Sequence, residues 1–135
     1  MIIYDLIDYV DDKEKYTDIT ADILREGTEA ICFVQLGSTI GEDRYLDKSY
    51  TGIYEFEIRC KSKSIRKALN QLDYYRKLFY INSEIVLSDN LHFIQSEPIT
   101  DCRLLYYTDQ NEAVYGITIK IEYYEKWGKN LWLRF

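Results

Sequence analysis

The stretch Tyr50–Tyr80, YTGIYEFEIRCKSKSIRKALNQLDYYRKLFY, changes its period once, and that change decides the fold. Up to Lys61 the residues alternate, with Tyr50, Gly52, Tyr54, Phe56, Ile58 and Cys60 on one side and Thr51, Ile53, Glu55, Glu57, Arg59 and Lys61 on the other. Successive strand side chains point to opposite faces, so the pattern predicts a strand covered on its even-numbered face and wet on its odd-numbered one. After the polar joint Ser62-Lys63-Ser64 the apolar set becomes Ile65, Ala68, Leu69, Leu72, Tyr75 and Phe79, whose spacings draw a single stripe down a helix. The joint is too short to carry the helix away, so the stripe is expected to lie back on the even face of the strand that delivers it.

Working outward toward the N-terminus, Ala30–Leu36 is an apolar run that suits an interior strand. Gly37–Ser49, GSTIGEDRYLDKS, holds two glycines and three acids and reads as a long hairpin loop of the kind that often binds. Thr17–Gly27 fits either a short helical turn or an irregular edge strand. Asp11–Asp18 is polar and aperiodic, a loop. Ile3, Leu6, Ile7 and Val10 follow helical spacing, so Met1–Asp11 reads as a short amphipathic helix with Asp5 and Asp8 outward.

Toward the C-terminus, Ile81–Asn90 carries turn chemistry and crosses back to the sheet. Leu91–Glu97 reads as a short strand that Pro98 interrupts, since proline cannot donate to a ladder. Ile99–Tyr107 resumes the strand pattern, Thr108–Glu112 is a polar turn, and Ala113–Tyr124 alternates cleanly. The last stretch, Glu125–Phe135, holds Trp127, Trp132 and Phe135 among Lys126, Lys129 and Arg134, too aromatic to float freely. The expected fold is therefore α+β: a mainly antiparallel four- to five-stranded sheet, one long helix packed on one face, and a short N-terminal helix.

A chain of 135 residues, 47% hydrophobic and 30% charged, with no Pro, Gly or Ser tract, suits a single folded domain spanning residues 1–135. The formal charge of −6 argues against a protein built mainly to grip nucleic acid, because that affinity comes from neutralising phosphates. Fourteen Tyr and two Trp exceed what a small core needs and suit surfaces that a partner covers. Without a signal-peptide pattern or a long apolar segment, a cytoplasmic setting is expected and no membrane partner.

Catalytic patterns are hard to find. Cys32, Cys60 and Cys102 lie far apart in strand patterns, with no CxxC pair, and read as buried reduced thiols; no metal or cofactor is expected. Glu55 and Glu57 share a face, but Arg59 and Lys61 share it too, so a solvated charged face is the plainer reading. His92 is the sole histidine and has no partner at a motif spacing. The basic cluster Arg59, Lys61, Lys63, Arg66 and Lys67 is less easily dismissed, since cations at a helix start oppose the helix dipole. It could meet a nucleic-acid backbone or the acidic loop of Glu42, Asp43 and Asp47 on an adjacent copy; the negative overall charge favours the adjacent copy.

The run from Ala30 to Phe79, AICFVQLGSTIGEDRYLDKSYTGIYEFEIRCKSKSIRKALNQLDYYRKLF, resembles the tail terminator or minor capsid proteins of long-tailed bacteriophages. The likeness rests on an apolar strand, a glycine-containing loop with Asp43, Arg44 and Tyr45, a strand leaving through Arg59-Cys60-Lys61-Ser62, an amphipathic helix, and the closing strand Tyr115–Tyr124. It implies a structural virion protein with no enzymatic activity, assembled in the host cytoplasm as a homohexameric ring on the head-proximal end of the tail tube. Such a ring ends tube polymerisation and offers the head-joining surface, so the implied partners are copies of itself, the tail tube protein and a head-completion or neck protein. DNA would pass through without tight binding. The interface is then expected to use Glu42, Asp43, Arg44, Tyr45 and Asp47 against Arg59, Lys61, Lys63 and Arg66. A neck or head-completion ring is the second reading, and a small host-directed binding module or enzyme is the alternative from another class.

Overall fold

The computed structural model describes residues 2–11, 19–27, 29–44, 50–81, 85–88 and 90–125. Its elements run α1 (Ile2–Asp11), β1 (Ile19–Ala21), β2 (Ala30–Arg44), β3 (Tyr50–Lys61), α2 (Ile65–Ile81), β4 (Leu91–Pro98), β5 (Arg103–Tyr107) and β6 (Ala113–Glu125). The fold is α+β with two helices and a six-stranded sheet in the order β1-β2-β3-β6-β4, with β5 also pairing β6.

The sheet corrects the expected one. It has six strands rather than four or five, and it is mixed, because β1 pairs β2 in parallel while the other pairings are antiparallel. The undecided segment after residue 18 supplies β1, a three-residue edge strand held on Ile31–Phe33. The extra count on the other side comes from the interruption at Pro98. Thirteen-residue β6 is long enough to hold two short strands end to end: β4 lies along Ile119–Glu125 and β5 along Ala113–Gly116.

A second correction concerns Gly37–Ser49. β2 does not stop at Leu36 but continues paired to β3 as far as Arg44, which lies opposite Tyr50. Gly37 marks a register shift inside the strand rather than a loop start; its φ of 149° is one that side chains rarely adopt. Glycine within a strand commonly marks such a bulge.

β3 and β4 both run antiparallel to β6 and hence parallel to each other, so β3–α2–β4 is a crossover that lays α2 over the strands it connects. Ser64 caps α2, its hydroxyl accepting from Lys67 N at 3.3 Å while its carbonyl accepts from Ala68 N at 3.0 Å. Ala68, Leu72, Tyr75 and Phe79 are fully buried against Phe33, Phe56, Ile58, Cys60, Ile117, Ile119 and Ile121. At about 1.5–3 kcal/mol for each large apolar side chain taken out of water, this seam dominates the fold's cohesion. Ile65 departs from the expected stripe and is exposed. Helix α1 adds Ile3, Leu6, Ile7 and Val10 to the same core, and its Asp5 carboxylate accepts from both the backbone N and the hydroxyl of Ser88, each at 2.9 Å.

The odd-numbered face of β3 differs from its expected wetness. Glu57 and Lys61 are buried, and Thr51 with them. The expected loop from Asp12 onward, residues 45–49 of the expected hairpin loop, residues 82–84 of the expected turn segment and the aromatic stretch 126–135 lie outside the described residues.

Candidate subunit interface

The site residues expected from sequence divide between the two ends of β3. Glu42, Asp43 and Arg44 belong to the backbone of the last part of β2, at the Tyr50 end, while Tyr45 and Asp47 lie outside the described residues. Arg59, Lys61, Lys63 and Arg66 belong to the other end, where β3 hands over to α2. Eleven steps along a strand rising about 3.3 Å per residue separate the ends by about 36 Å. The acidic and basic halves are therefore not brought together within one molecule.

At the basic end the four cations fall into two kinds. Arg59 Nε donates to Glu57 Oε1 at 2.6 Å, and its guanidinium carbon stands 5.6 Å from the centre of the Tyr106 ring. Burial opposes its charge, but the Glu57 hydrogen bond and carboxylate outweigh that and hold the guanidinium pKa above its ordinary value. Arg103 approaches the same carboxylate from β5, Nη2 to Oε2, at 3.9 Å. Lys61 Nζ donates to the Arg25 carbonyl at 3.1 Å and lies 3.5 Å from Glu112 Oε1. Both groups are thus engaged internally, on the face where the sequence suggested solvated charge.

Lys63 and Arg66 are exposed, and neither makes an ion pair or side-chain hydrogen bond with another described residue. Their neighbour Lys67 does: its Nζ is 2.5 Å from Glu29 Oε1. The first turn of α2 contains no acid, so nothing from its own sequence complements the positive end of the helix dipole.

Beside Lys63 is a notch of about 360 Å³ between the β3–α2 joint and the β5–β6 turn. Its walls include Lys63, Ile65, Tyr107, Glu112, Ala113 and Tyr115. The turn is held by Thr108 N donating to the Glu112 carbonyl and Asn111 N to the Thr108 carbonyl, both at 2.8 Å, with Asn111 at φ 64°. Sequence reasoning missed this notch. The available signal was Ile65, the first member of the stripe, which is exposed directly after the Ser64 cap.

The remaining candidate groups do not converge. Cys32 and Cys60 are buried free thiols, and burial pushes them up to about 11 and about 12 respectively; Cys60 Sγ lies 2.7 Å from Gln71 Oε1. Such thiols are poor nucleophiles at neutral pH. His92 is exposed on β4, its ring 6.1 Å from that of Tyr124. Among the described residues no group of three or more His, Cys, Asp or Glu is placed to hold a metal ion, and no helix is long and apolar enough to cross a membrane. No protein-family model matches the chain, and no curated protein sequence matches it.

Proposed function

We propose that this protein is a structural virion subunit of the tail-terminator kind, which closes with copies of itself into a ring at the head-proximal end of a phage tail tube. In this reading it makes and breaks no covalent bond. It ends tube growth and presents the surface to which a head-completion or neck protein attaches, and its place is the virion, after assembly in the host cytoplasm. The observation that carries the reading is the division of charge along β3. The acidic end of β2 and the basic start of α2 lie about 36 Å apart, too far to neutralise each other in one copy. Two unlike patches on one subunit pair head to tail, and such heterologous contacts close into rings when the rotation permits.

The test is native mass spectrometry over a protein and salt series, followed by co-sedimentation with purified tail tubes. A closed oligomer, expected to be a hexamer, that weakens as salt rises and caps tubes supports the reading. A strict monomer at every concentration, alone and with tubes, overturns it. A ring that binds portal or connector and ignores tubes would instead place the subunit in the neck.

A further inference from the structure

We infer that the notch beside Ile65 receives the segment 42–47 of a second copy, with the segment's apolar residues in the notch and its carboxylates on Lys63 and Arg66. This deepens the ring reading and rests on it. The notch has apolar walls that the fold leaves open: Ile65 is 57% exposed and Tyr107 59% exposed, although Ile65 belongs by its spacing to the buried stripe of α2. Its volume of about 360 Å³ lies within the range of small-molecule pockets, roughly 300–1,000 Å³, which leaves room for an aromatic side chain.

Charge selects the occupant. Glu112, the acid on the wall, is already occupied by Lys61 and by the Thr108 hydroxyl at 3.4 Å, so the unmet charge on the wall is the positive charge of Lys63, and Arg66 follows Ile65 in the first turn of α2. The stretch Glu42-Asp43-Arg44-Tyr45-Leu46-Asp47 offers three carboxylates against one cation, with Tyr45 and Leu46 between them. Its own notch lies at the far end of β3 from Arg44, so the segment that fills it must come from another molecule. Anchoring by an aromatic residue in a desolvated pocket, ringed by charge pairs, is the usual anatomy of an interface hot spot.

Sedimentation velocity on the full chain tests this, with circular dichroism to confirm that each variant folds. All pocket-side substitutions fall on exposed residues, and a glutamate at position 65 suits a helix start. Ile65→Glu should weaken self-association about tenfold or more, as should the paired change Lys63→Glu/Arg66→Glu. Glu42→Lys/Asp43→Lys should do the same from the other side. Mixing the two charge-reversed chains should restore assembly, since each then offers the other's complement. If the native chain assembles and the variants assemble equally well, the notch is not the docking site while the ring reading stands. If the native chain stays monomeric at every concentration, alone and with tail tubes, the ring reading falls, and a peptide of residues 41–48 decides the notch. Saturable binding that Ile65→Glu abolishes would retain it as a docking site for that segment, and absence of binding would overturn it.

Discussion

The two faces of β3 carry opposite kinds of residue, and both bury side chains, the even face at every position past Tyr50 and the odd face at Thr51, Glu57 and Lys61, with Ile53, Glu55 and Arg59 half-buried. On the even face Phe56, Ile58 and Cys60 are fully buried beneath α2. On the odd face Glu57 is 7% exposed and Lys61 4%. What differs is the means. The even face is dried by hydrocarbon and aromatic rings, Phe56 lying 5.1 Å from Phe33 and 5.4 Å from Phe79 between ring centres. Where the odd face is dry its own charges do it: Glu57 is paired with Arg59, and Lys61 meets the Arg25 carbonyl and Glu112. Burial on the first face needs only shape, whereas burial on the second needs every partner present. A charged residue in a strand is thus no proof of a wet face.

The largest effect should come from the even face. Phe56→Ala removes a ring that touches three aromatic neighbours at the centre of the core, and it should cost about 4 kcal/mol in a urea titration. A cost near 1 kcal/mol would mean that α2 can settle into the space, and the two faces would then be alike in tolerance. On the odd face, Glu57→Ala leaves Arg59 and Arg103 facing each other without the acid between them, and about 2 kcal/mol should be lost. Arg59→Ala should cost less, because Arg103 still approaches the carboxylate that remains. If Glu57→Ala stays within about 0.5 kcal/mol of the native chain, as ordinary surface changes do, the odd face is simply solvated.

The same contrast explains which parts of the molecule were legible in the sequence. The strand-to-helix switch at Ser62–Ser64 was plain, because apolar spacing reports a hydrocarbon seam directly, and four of the six stripe residues of α2 are fully buried as expected. The dryness of Glu57 and Lys61 was not, because it depends on Arg103, Arg25 and Glu112, which lie far off in the chain and arrive only through the fold. Three-residue β1 is too short to show a period, and its parallel pairing depends on where the chain goes after Ala21. Pro98 was visible as an interruption, but nothing local says that the chain resumes on the same neighbour, β6. Gly37 and Gly41 suggested a loop because glycine frees the backbone, and in β2 that freedom serves an irregular ladder instead. As for the candidate interface, the sign of its charges was readable, whereas the withdrawal of Arg59 and Lys61 into internal pairs was not.

The smallest effect is invisible at neutral pH and separates the faces most cleanly. Each face contains a buried thiol: Cys60 lies opposite Ile31 beneath α2, and Cys32 lies opposite Arg59 on the odd face. Burial holds both above the ordinary 9.0, Cys32 at about 11 and Cys60 at about 12. The folded chain therefore keeps protons that the unfolded chain gives up. The resulting stability is fully present below pH 9.0 and is lost as pH rises toward about 11 for Cys32 and about 12 for Cys60. Tyr54, also raised by burial and then by Asp22, adds to the same alkaline loss and is common to every variant compared. In urea titrations from pH 8 to pH 10.5, Cys60→Ala and Cys32→Ala should each flatten the decline, whatever packing each costs at pH 8. Flattening by both means that pairing excludes water as completely as packing does. If Cys60→Ala flattens the curve and Cys32→Ala leaves it unchanged, water reaches the odd face through its charge pairs, and only the face under α2 is dry.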